Sequence, residues 1–229
     1  MRYRYLVIQA GTLPLSPDGS LDSAKEHRCT SAAIWPDGGT ITPPRAMLTD
    51  ACLTIAGLKH AHEHAKRAGI SLDMPACFFI THCHRDHIPV ALLQKNSRMF
   101  HNQVPREFPD MRVERCPGHS PDLHALIFHA PDEKEVWVVG DAILNLEWLV
   151  AWGYFWPNGY APAEIAETWR SVAKIVSRAD VILPGHGDEI IVTAPMVQQL
   201  LSAFPSAEQA AAAPEVAPLL QRRLAALRH

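Results

Sequence analysis

Paired cysteine is missing from this chain: Cys29, Cys52, Cys77, Cys83 and Cys116 are odd in number and form no Cys-x-x-Cys motif. They count against a disulfide framework and favour a reducing, cytoplasmic setting. A basic excess is missing too. Lysine and arginine total 21 against 24 acidic residues, for a formal charge of −3 and a pI near 6.5, so composition offers no nonspecific grip on nucleic acid. No stretch approaches the ~18 apolar residues of a membrane span. The opening Met1-Arg-Tyr-Arg-Tyr-Leu-Val-Ile-Gln-Ala10 carries an apolar run too brief for a signal-peptide core. At 229 residues the chain suits one large α/β domain better than two complete ones.

What is present is a concentration of metal-ligand chemistry. Thr81-His-Cys-His-Arg-Asp-His87 follows the apolar run Ala76-Cys-Phe-Phe-Ile80 and places His82, His84, Asp86 and His87 where a buried strand ends. Imidazole nitrogen and carboxylate oxygen suit zinc and its borderline neighbours. Any one of these histidines alone would read as part of a solvated loop. Three further strand-to-loop junctions change that reading: Cys116-Pro-Gly-His119, Val138-Val-Gly-Asp141 and Ile182-Leu-Pro-Gly-His186. Each sets one ligand-type residue beside a glycine that lets the backbone turn.

This ordered set, spanning about residues 3 to 193, resembles the metallo-β-lactamase-fold hydrolase superfamily, whose pattern is His-x-His-x-Asp-His, a later His, a later Asp and a final His. The resemblance implies an α/β fold, a four-layer αββα sandwich of the metallo-β-lactamase type over residues 1–193; residues 194–229, rich in alanine and proline, read as a tail of short helices. It also implies two divalent ions, zinc first and manganese or iron as runners-up. His82, His84 and His119 would hold the first ion, Asp86, His87 and His186 the second, and Asp141 would bridge them. By the same resemblance, a hydroxide held between the ions attacks a carbonyl or phosphoryl centre, and Asp86 orients it as the catalytic carboxylate. No cysteine replaces a ligand, unlike in the thiolate-using lactamases, and His84 stands where flavodiiron relatives carry glutamate. The chain departs from the pattern at Pro89-Val90, in place of a glycine pair, and at Asp50-Ala51-Cys52, in place of Asp-Thr-Gly.

The residues between the motifs predict the layers. Strands are expected at 5–10 and 29–35, the second ending in the turn chemistry of Trp35-Pro-Asp-Gly-Gly39. Thr54 is a fair N-cap for a helix running to Gly69; it carries His60, His62 and His64, which read as surface residues although 60 and 64 share a face. A helical turn at 90–95, strands near 97–101 and 111–115, and a hairpin of 123–130 with 135–139 follow. Pro162 opens a helix whose stripe of Ile165, Trp169, Val172 and Val176 is core. Strand 181–183 delivers His186. Cys83 and Cys116 read as small packing residues. The tail is broken by Pro205, Pro214 and Pro218, and Leu219, Leu220, Leu224 and Leu227 suit either a cover for the domain or a homodimer contact.

Substrate identity falls to the segment after Asp141. Trp148, Trp152, Tyr154, Phe155, Trp156 and Tyr160 crowd into thirteen positions of a chain that is 7% aromatic. They read either as packing or as a wall over the metals, with Trp148, Trp152, Tyr154, Trp156 and Tyr160 as substrate contacts. A small-molecule substrate with an ester-like acyl bond, a lactone or thioester, is the expected target. The alternatives are phosphodiester hydrolysis of a small nucleotide or RNA end and a non-catalytic, metal-stabilised binding protein. Neither the inserted nuclease domain of the RNA-processing branch nor the basic tail of the glyoxalase II branch has a counterpart here.

Overall fold

The computed structural model describes residues 1–38, 45–95 and 97–228. Among these residues, ten strands form two five-stranded sheets. The first contains β1 (Tyr3–Gln9), β2 (Ser31–Pro36), β3 (Met47–Thr49), β4 (Cys77–Phe79) and β5 (Met99–Phe100), side by side in chain order. The second contains β6 (Arg112–Arg115), β7 (His124–His129), β8 (Glu135–Gly140), β9 (Val181–Pro184) and β10 (Ile190–Ile191), in the order β10-β9-β8-β7-β6. The first sheet has two parallel pairs, β3 with β4 and β4 with β5, and the second has one, β8 with β9. Helix α1 (Ile55–Arg67) links β3 to β4, and helices α2 (Leu146–Val150) and α3 (Pro162–Arg178) lie between β8 and β9.

Side-chain alternation turns these sheets into four layers. Along β8, Val136 and Val138 point into the cluster shared by both sheets with Phe79, Phe128 and Leu183, whereas Trp137 and Val139 point to the helices outside. β4 does the same with Cys77 and Phe79 inward and Phe78 toward Ala61 and Ala65 of α1. A period of two cannot bury every residue of a strand unless both faces are covered, and near-continuous apolar strands such as Val136–Val139 are the signature of that arrangement. Two sheets between helix layers are therefore the αββα sandwich expected from the sequence.

The tail joins the outer layer. Helices α4 (Ala194–Ala203) and α5 (Val216–Ala226) bury Val197, Leu200, Val216, Leu220 and Leu224 in the same cluster as Trp169 and Val172 of α3. Of the tail leucines, Leu220 is fully buried and Leu219 half-buried. Strand and helix limits differ from those read in the sequence by a few residues. The short strands β3 and β10 went unread because two or three residues carry no periodicity. The turn after β2 begins as expected, with Gly38 at φ +73°, but Gly39 lies outside the described residues. No helix is long and apolar enough to cross a membrane among the described residues.

Topology brings the motifs to one edge. β6 and β7 are antiparallel, as are β7 and β8, so β6 runs with β8, and β8 runs with β9. The segments leaving β6, β8 and β9 thus emerge together, carrying His119, Asp141 and His186. The end of β4 joins them through the Thr81 carbonyl, which accepts the His124 N–H at 2.8 Å. Gly140 makes this close approach feasible: its φ is +49°, and a side chain there would collide with the Thr81 hydroxyl.

Candidate metal centre

The donor atoms converge in two groups that share Asp141. On one side, His84 Nδ1 lies 3.0 Å from His119 Nε2, and Asp141 Oδ2 lies 3.2 Å from His119 Nε2 and 3.8 Å from His82 Nε2. On the other, Asp141 Oδ1 is 3.2 Å from both His87 Nε2 and His186 Nε2. Asp86 Oδ2 stands 3.6 Å from His186 Nε2 and 3.7 Å from His87 Nε2. Ligands bonded at about 2.0–2.2 Å to one ion lie roughly 3.0–3.6 Å from one another; most of these spacings fall in that range, and those of Asp141 to His82 and Asp86 to His87 lie just beyond it. All seven residues expected from the sequence are brought together.

Hydrogen bonds aim the rings. The Thr81 hydroxyl, 2.8 Å from Asp50 Oδ2, gives its one proton to that carboxylate and must accept from His82 Nδ1 at 3.1 Å. His82 therefore carries its proton on Nδ1 and leaves the Nε2 lone pair facing the centre. His186 Nδ1 donates to the Arg28 carbonyl at 3.0 Å, and His119 Nδ1 lies 2.9 Å from the Tyr160 hydroxyl. His87 Nδ1 is 3.2 Å from Asp50 Oδ2. This is how metal-ligating imidazoles are held. The inward atoms are orphans within the protein: His82 Nε2, His87 Nε2 and Asp141 Oδ1 are buried without a hydrogen-bond partner. Burial of such atoms is costly unless something binds them. Geometry, tautomer and donor chemistry together fit a site for divalent metal.

Electrostatics divide the rings: His82 and His119 are held neutral, whereas Asp141 raises His87 and His186 against their burial. Burial pushes His82 down to about 2 and His119 down to about 4, although Asp141 opposes both shifts, so these rings are neutral and ligand-ready at pH 7. Burial alone would raise Asp141, but His186, His87 and His119 hold it well below the usual carboxylate range. Burial likewise disfavours charge on His87, and Asp141 and Asp50 outweigh it, raising that ring well above the ordinary value. Asp86 is lowered because the hydrogen bond from His27, with His87 behind it, overcomes its burial.

The aromatic segment divides in two. Trp152 lies in the helix-side core, its Nε1–H donating to the Leu200 carbonyl at 2.9 Å and its ring edge-on to Trp169 at 5.5 Å. Trp148 is buried beneath the N-terminal loop, donating to the Leu15 carbonyl at 3.2 Å. Of the two readings open for the segment, packing describes these two: both indoles are buried and tie elements together. Trp156 is exposed, and Tyr154 and Tyr160 border a narrow gap beside His119. The mouth over the donor groups, a cavity of about 110 Å³, is lined by Leu13, Leu144, Phe155 and Asn158 together with His27 and five of the candidate ligands, His84, Asp86, His119, Asp141 and His186. His60 and His64 border a separate cleft. Cys116 packs in the core as expected, whereas Cys83 is exposed on the loop between two ligands.

Sequence reasoning passed over Asp50 as a ring-holder, Phe155 as a mouth residue and His27 altogether. Asp50 had a signal, since it ends a short apolar strand in the Asp-Ala-Cys that departs from the family pattern. His27 had none, because 59 residues separate it from the Asp86 it contacts.

No family model matches the chain, and no curated protein does. Solved structures do. One, from Thermotoga maritima and named for the metallo-β-lactamases, is 14% identical with a TM-score of 0.57, covering 83% of this chain and all of its own. A second, described as a probable metal-dependent hydrolase from Staphylococcus aureus, is 11% identical with a TM-score of 0.54 over 80% of this chain and 88% of its own. A third, a B3 metallo-β-lactamase with an active-site glutamic acid, is 15% identical with a TM-score of 0.51 over 88% and 86%. With the two sheets, the flanking helices and the ligand positions already in place, these likenesses establish that the chain has the metallo-β-lactamase fold.

Proposed function

We propose that the protein is a dinuclear, zinc-dependent hydrolase acting on an ester-like acyl bond of a small molecule, with lactones and thioesters ahead of phosphodiesters. The observation that carries this reading is the pair of donor groups meeting at Asp141, with the rings of His82, His119 and His186 aimed inward by Thr81, Tyr160 and Arg28, and His87 facing Asp50. When bound there, two divalent ions would supply Lewis acidity and lower the pKa of a coordinated water from 15.7 toward about 7. The protein's own residues then supply position and polarity. Asp86, whose Oδ2 lies 3.1 Å from His27 Nε2, faces the second position and can orient a nucleophile. Tyr160 accepts from Asn158 Nδ2 at 2.8 Å and from His119 Nδ1 at 2.9 Å. Its own hydroxyl hydrogen is left to donate to a substrate oxygen, and burial pushes its pKa up to about 12, so the proton stays in place.

The mouth supports the choice of bond. Leu13, Leu144 and Phe155 give it apolar walls, and its lining contains no lysine or arginine to hold a phosphate. A panel of lactones, acyl thioesters and bis-aryl phosphates, run with zinc-loaded enzyme, tests the proposal. Turnover of the acyl substrates at rates well above the phosphates is expected; turnover of the phosphates alone would reverse the order. Metal analysis of protein purified without chelator is expected to approach two equivalents, and a folded, zinc-supplemented sample near zero would refute the dinuclear reading.

A further inference from the structure

His27 lies at the open corner of the second donor group and belongs to none of the sequence motifs. Its Nε2 is 3.1 Å from Asp86 Oδ2, and its ring stands edge-on to that of His186 with centroids 4.8 Å apart. One ligand atom each from His27, Asp86 and His186 falls within 4.8 Å of the others, a grouping that shares His186 with that of His87, Asp141 and His186. The 3.1 Å edge is the spacing expected of two donors on one ion, as for the ligand pairs described above.

The segment that carries His27 is built to deliver it. Thr12 and Arg28 exchange backbone hydrogen bonds at 2.9 and 3.0 Å, closing the loop between them. Leu13 and Leu15 of that loop pack with Trp148, Leu144 and Phe155 beside the mouth, and Phe155 meets the His27 ring at 6.2 Å. The next residue, Arg28, supplies the carbonyl that fixes His186 Nδ1. Two consecutive residues thus grip His186, one behind the ring and one beside its metal-facing nitrogen. Nothing in the loop does the same for His82 or His84.

We infer that His27 is a further protein ligand of the second metal position, brought in by the loop of residues 12–28, so that this position is completed only with that loop in place. The inference rests on the two-position metal reading above. His27 is 44% exposed in its side chain, so its replacement leaves no buried cavity, and the folded protein is available for test.

Metal-free wild-type protein, His27→Ala and His27→Cys are titrated with Co2+ and followed by calorimetry and absorption. Wild type is expected to take two equivalents. His27→Ala should take the first with unchanged affinity and the second about tenfold or more weakly. His27→Cys should show a near-ultraviolet thiolate-to-cobalt charge-transfer band that wild type, with its own cysteines, lacks. A merely structural hydrogen bond to Asp86 would not produce that band. If His27→Ala binds both ions as wild type does and His27→Cys shows no band, His27 is no ligand while the metal centre stands; if wild type takes no second ion, both readings fall.

Discussion

At the scale of single residues, the side chains that hold the ligands matter as much as the ligands. Asp50 is buried, accepts from the Thr81 N–H and hydroxyl at 2.8 Å each, and faces His87 Nδ1. Asp50→Asn keeps the shape but removes the charge that fixes the His87 proton, so metal affinity is expected to fall by about 10–100-fold, measured by competition with a chromophoric chelator. An unchanged affinity would remove Asp50 from the centre. Phe155 is the aromatic that lines the mouth. Phe155→Ala is expected to raise KM by about tenfold with metal content unchanged, the pattern of lost binding rather than lost chemistry. Wild-type kinetics on every accepted substrate would place the binding wall elsewhere.

Among the elements, α2 and its flanks decide which aromatics are structural. Asn145 caps α2 by accepting from the Trp148 N–H, and the chain then turns at Trp152, whose φ of +49° drives its indole back among Trp169 and Phe204. Trp152→Ala is therefore expected to cost about 3–5 kcal/mol of stability, read as a shift in the denaturant midpoint, because the cavity lies where three helices meet. A variant of wild-type stability with raised KM would restore the substrate-wall reading. The junction after β9 is the other sensitive element. A side chain on Gly185 would collide with Asp141 Oδ1, so Gly185→Ala is expected to lose bound metal before it loses the fold, checked by metal analysis beside circular dichroism.

For the whole molecule, burial of thiols sets a limit on alkaline stability. Burial pushes Cys29, Cys77 and Cys116 up to about 12 in the folded chain, from an ordinary value near 9. Between those two values the unfolded chain has released protons that the folded chain retains, so the stability these groups contribute is full below pH 9 and is lost as pH rises toward 12. Denaturant midpoints under reductant are expected to fall steadily from pH 9 upward, and the fall should lessen in a Cys29→Ala, Cys116→Ala double variant. A flat profile over that range would contradict it. Cys83, exposed, should alone react promptly with a thiol reagent at pH 8.

The sequence by itself determined the seven candidate ligands that the fold brings together and the two-sheet sandwich, because both are written locally. A ligand beside a glycine at a strand end is visible within four residues, and the run Val136–Val139 is apolar on both faces only if both faces are covered. Tertiary structure decided what depends on contacts across the chain. Trp148 and Trp152 are as aromatic as Phe155, yet only packing against Leu15 and Leu200 made them structural. His27 is an ordinary loop histidine until the closure of Thr12 on Arg28 sets it against Asp86 and His186, 59 and 159 residues away. Local pattern can announce a residue's chemistry, but which partner satisfies it is fixed only when distant backbone is brought within hydrogen-bond reach.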